Sequence, residues 1–224
     1  MQILGTDIDY KRLSTPRAAA IAGILFSLLF ATSLILLRSS IPERLNEDTE
    51  WVAAGSGRIR IVLFLMPFAG IAFLWFIGVV RDRLGKYEDQ FFSTVFFGSG
   101  LLFLAMVFVS MAIVGGLIAG YQLNPGITID SPIIYFGRAL MFQLSNIYAL
   151  RMAGVFMLSL GAIWLRTGLM PRWLVILTFL LAGSLLLITS LSLWVTLIFP
   201  AWVMMISIET LYLKNKKVSP MERL

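Results

Sequence analysis

Two arginines embedded in apolar sequence, Arg138 and Arg151, are the residues whose type and position demand a chemical explanation. Gln143, Asn146 and Tyr148 lie on the same stretch, and Arg60 opens another apolar run. Guanidinium groups supply charge, while amides and a phenol supply directional hydrogen bonds, so this set can hold an anionic group such as a lipid phosphate or a carboxylate. A charge in the hydrocarbon costs about 2.5 to 3.5 kcal/mol on insertion scales and usually faces a bundle interior or a partner. A purely structural reading competes: Arg151 snorkels to the surface, or pairs with an acid of the first loop or with Asp130, and fixes the fold. Glu209 is the only carboxylate inside an apolar run, where coupling to a proton or cation competes with solvation or with pairing to a nearby lysine.

The rest of the chemistry is narrowed by exclusion. The 224 residues contain no cysteine and no histidine. Thiol nucleophiles, disulfides, Cys- or His-ligated metals and haem, and Ser-His-Asp triads are therefore ruled out. The acidic residues fall almost entirely in loops and termini, so no metal site is expected. Gly116 and Gly120 in GGLIAG have the GxxxG spacing of close helix contact; a phosphate cradle needs a preceding strand and a following lysine, which this stretch lacks. No catalytic residue and no cofactor is assigned.

Stepping outward to the elements, 59% of the chain is hydrophobic and 13% is charged, against about 25% charged in soluble domains. The bilayer is the expected solvent. A net charge of +6 is spread along the flanks of apolar runs, which fits membrane orientation and excludes a nucleic-acid face. The fold class is all-α, a polytopic bundle of six transmembrane helices in one domain, with spans near 18–37, 61–80, 92–120, 146–165, 173–190 and 193–213. The first run is long enough to stay as a helix and not be cleaved as a signal. Ala18 and Ala22 provide small residues for packing, and Pro67 interrupts span two as shape or as a hinge.

The longest stretch starts at Ser131-Pro132 and stops at Gly168 and Pro171. As one helix, 132–167 is about 54 Å long, well beyond a hydrocarbon core of about 30 Å. The segment 132–145 is therefore expected to project or to lie in the interface, and span four covers 146–165. Arg151 then falls about 22 Å from the inner end. Spans five and six share a short turn at Thr189-Ser190-Leu191-Ser192 and are expected to pack antiparallel, with Pro200 inside span six as Pro67 is inside span two. Trp173, Trp194 and Tyr212 suit interfacial belts.

Counting basic residues sets the orientation. With the N-terminus cytoplasmic, Lys11, Arg12, Arg17, Arg81, Arg83, Lys86, Arg166, Arg172, Lys214, Lys216, Lys217 and Arg223 share one side, and Arg38, Arg44, Arg58, Arg60 and Arg138 the other. Twelve against five places both termini in the cytoplasm.

The polar loop leading through TEWVAAGSGRIRIVLF, and the turn carrying Leu165, Arg166, Thr167, Gly168, Pro171, Arg172, Trp173 and Leu174, resemble small bacterial integral-membrane families catalogued as domains of unknown function. That resemblance implies six helices in a bacterial inner (plasma) membrane and no activity. Three function classes are weighed. The first is a structural or accessory subunit, with partner membrane subunits or a second copy and membrane lipids as its neighbours. The second is a binder or transporter of a small anionic or lipid ligand, through an outward-facing pocket around Arg151. A membrane enzyme comes last, because no acid-base pair can be assembled at one depth.

Overall fold

The computed structural model describes residues 16–41, 56–84, 90–123, 131–187 and 193–218, and among these no strand occurs. The helices are α1 (Pro16–Arg38), α2 (Ser56–Leu84), α3 (Gln90–Leu123), α4 (Ser131–Phe142), α5 (Leu150–Thr167), α6 (Arg172–Leu187) and α7 (Ile198–Val218). A π-helical segment, Gln143–Ala149, joins α4 to α5, and a 3-10 turn, Leu193–Leu197, leads into α7. Five helical runs are long and apolar enough to cross a membrane: 17–38, 57–82, 91–123, 132–167 and 195–212. The fifth expected span appears as α6, whose 16 residues cover about 24 Å; positions 188–190 lie outside the described residues. So do the N-terminal stretch through Thr15, the acidic cluster of the first loop, and Asp130.

The bundle closes around aromatic side chains. Phe73 of α2 lies 4.6 Å from Phe26, 5.4 Å from Phe103, 5.5 Å from Phe156 and 5.7 Å from Phe199, ring centre to ring centre. Five helices thus contribute to one core of tilted and edge-on rings, the arrangements that aromatic quadrupoles favour. Some hydroxyls buried within this apolar interior return to their own helix: Ser27 donates to the Gly23 carbonyl and Thr178 to the Leu174 carbonyl. Outward faces stay apolar, with Ile21, Leu25 and Leu28 on α1 and Phe64, Phe68, Ile71 and Trp75 on α2.

Helix α1 packs on α2 and α7, α3 packs on α2, α4 and α5, and α5 packs on α6. The expected α6–α7 pairing takes a different form. The principal neighbour of α6 is α5 and that of α7 is α1; the two meet through long side chains, Trp202 Nε1 donating to Thr178 Oγ1 at 2.9 Å. Pro200 lies within the last apolar run, 195–212, as expected. It occupies the first turn of α7, where its missing N–H leaves no bond unmade, whereas Pro67 lies inside α2 on an exposed face. At the end of α5, Gly168 takes φ 64° and donates to the Trp164 carbonyl at 2.9 Å, a left-handed cap that suits glycine.

Candidate functional site

Polar groups converge where α1 ends. Arg38 is the last residue of that helix, and its Nη2 donates to Asn146 Oδ1 at 3.3 Å and to Thr196 Oγ1 at 3.1 Å. Three elements meet in this way: α1, the π segment and the 3-10 turn. Asn146 and Thr196 are both buried. Ser145 donates to the Met141 carbonyl at 2.8 Å, and Ser110 of α3 approaches the same carbonyl at 3.2 Å. Two hydroxyls thus meet one carbonyl at the N-terminal edge of the π segment, a place where a serine back-bond can bend a helix. Asn146 Nδ2 is buried and makes no hydrogen bond among the described residues.

The anion-holding set read from the sequence is only partly brought together. Asn146 is at the junction. Arg138 is buried on α4, its guanidinium 5.9 Å from the centre of the Tyr135 ring. Arg151, one residue into α5, is half-buried. Gln143 and Tyr148 point outward, because the π segment turns Asn146 and Ala149 to the core and leaves positions 143 and 148 on the opposite side. Arg60 is also exposed, since Ile59 and Val62 occupy the buried face of α2.

Arg38 and Thr196 are the residues that sequence reasoning missed. Arg38 reads as a charge flanking an apolar run, and its one distinguishing signal is its place on the side that the expected topology leaves without lysine. A cavity of about 30 Å³ lies beside the junction, lined by Arg38, Ser110, Ser145 and Thr196 and otherwise by apolar side chains including Phe103 and Met141. That space suits water and is far below the several hundred Å³ of an organic-ligand pocket.

The opposite end of the bundle is marked by cations over rings. Arg81 lies 4.7 Å from the centre of Phe97, and Arg166 lies 4.9 Å from that of Phe92, so α2, α3 and α5 end at one level. Glu209 is half-buried on α7, thirteen residues beyond Thr196 and so about 20 Å along the helix from it. Among the described residues no group of three or more acidic or other metal-ligating side chains comes together.

No family model, no curated protein and no solved structure matches the chain. The resemblance carried by the turn at Leu165–Leu174 therefore contributes no activity and no site residue.

Proposed function

We propose that this chain is a non-catalytic structural or accessory subunit of a membrane complex, crossing a bacterial inner membrane six times with both termini in the cytoplasm. The Arg81 and Arg166 end is then the inner one, and Arg38, Asn146 and Thr196 lie at the outer boundary of the hydrocarbon.

The observation that carries this reading is an apolar arm. Helix α3 has 34 residues, about 51 Å, and outruns the hydrocarbon by about 20 Å on the outer side. Helix α4 packs along this part of α3, and together they expose Leu123, Ile133, Phe136 and Leu140. Gly116 and Gly120 belong to the same region, and a Cβ placed on either meets nothing within 4 Å. Among the described residues nothing packs on the GxxxG face. Apolar surface at a depth that lipid tails do not reach is characteristic of a protein-binding face.

Native mass spectrometry of the chain purified in gentle detergent tests this. A stoichiometric partner chain or a second copy, lost on Phe136→Asp, is expected; a lone chain under all conditions refutes the reading. The competing ligand-binding reading draws on the half-buried Arg38 at the junction, but the cavity there would have to enlarge before it admitted a lipid head group.

A further inference from the structure

The 131–167 run is held unequally along its length. Below the π segment, α5 is packed between α3 and α6. Above it, the principal partner of α4 among the described helices is α3. The contact with α3 is close but narrow: a Cβ on Gly137 would lie 2.9 Å from a Leu117 methyl. The π segment lies where the principal support changes from two helices to one.

That segment also stores an alternative register. A π turn holds an extra residue relative to an α turn. Converting it to α geometry advances everything before it by one residue, a rotation of about 100° and a shift of about 1.5 Å. The Met141 carbonyl, at the edge of the segment, is engaged by the hydroxyls of Ser145 and Ser110. The cavity borders Met141, Ser145 and Ala149 and gives side chains there room to move. Asn146 Nδ2 is buried with no hydrogen bond among the described residues, so the present register does not satisfy every polar group it buries.

We infer that Gln143–Ala149 is a register hinge for the α4 arm, latched by Arg38 through Asn146 and Thr196. The latch ties the hinge to α1 and to the entrance of α7, neither of which is a principal packing partner of α4 among the described residues. Releasing it lets the π turn close and rolls the buried face of α4 that carries Ile134 and Gly137 away from α3. The inference concerns the motion of the arm and stands whether or not a partner docks on it.

The chain contains no cysteine, so single reporters are clean. Ile134→Cys reports the buried face of α4, with Met141→Cys as an alternative reporter, and Phe136→Cys reports the exposed face. Each is labelled with a water-soluble maleimide in the full-length protein in detergent micelles, in three backgrounds: unmodified, Asn146→Leu and Asn146→Asp. Asn146→Leu removes the latch and is expected to accelerate labelling at position 134 about tenfold or more, with position 136 unchanged. Asn146→Asp gives the Arg38 guanidinium a charged acceptor and is expected to slow position 134. Equal rates at position 134 in the unmodified and Asn146→Leu backgrounds overturn the hinge. A parallel rise at Phe156→Cys in the aromatic core also overturns it, because general loosening then explains the result. If Asn146→Leu does not fold, Arg38→Gln takes its place in the same comparison.

Discussion

Replacing Thr178 by valine probes a hydrogen bond that links α6 to α7. Thr178 is fully buried and accepts from Trp202 Nε1 at 2.9 Å while donating to the Leu174 carbonyl at 2.8 Å. Valine has nearly the same shape, so Thr178→Val opens no cavity and isolates the polar effect. It leaves the indole N–H of Trp202 buried without an acceptor, a penalty of about 1 to 3 kcal/mol in soluble proteins. Hydrogen bonds between membrane helices measure smaller, about 0.6 kcal/mol on average and at most about 1.7, because the unfolded chain in lipid also finds partners. A loss of about 1 kcal/mol is therefore expected. Trp202→Phe removes the donor together with ring volume that packs against Phe199 and Trp164. In the Trp202→Phe background Thr178→Val should cost less, giving a coupling of about 0.6 to 1.7 kcal/mol. Unfolding by denaturing detergent, followed by circular dichroism because tryptophan is altered, measures all four proteins. Strict additivity, within about 0.3 kcal/mol, refutes the bond as a link between the helices.

Three further outcomes are expected. Phe73→Ala removes the ring shared by four other helices and should cost about 3 to 5 kcal/mol by the same unfolding assay. Gly23→Ala places a methyl against the Ser207 hydroxyl where α1 meets α7, so it should destabilise the protein, and Ser207→Ala should recover part of the loss. Gly168→Ala forces a side chain into the left-handed cap of α5 and should lower stability by about 1 kcal/mol, with oligomeric state in native electrophoresis unchanged.

What could be read from the sequence follows the physics of a chain in lipid. Long apolar runs, the start at Ser131-Pro132 and the stop at Gly168 are local signals, and the helices begin and end there. Which face of each helix is buried is a different matter. In water a polar face marks the outside, whereas here both faces are apolar: the core ring Phe73 and the outward Phe64 and Phe68 are indistinguishable by composition. For the same reason Gln143 and Tyr148 were grouped with Asn146, although the π turn separates them. That turn leaves no mark on the hydrophobic pattern, and one of the two hydroxyls that meet the Met141 carbonyl beside it comes from α3, 31 positions away in sequence. Arg38 joins Asn146 across 108 positions of sequence and Thr196 across 158, distances at which no local pattern operates.

The arm as a protein-binding face is tested most directly by placing a photo-activated crosslinking residue at Phe136, on the exposed side of α4, and at Trp75, on the exposed side of α2 within the hydrocarbon. Irradiation of intact membranes should yield a discrete protein adduct from position 136 and lipid adducts alone from position 75. Lipid adducts alone from both positions would contradict the accessory-subunit account.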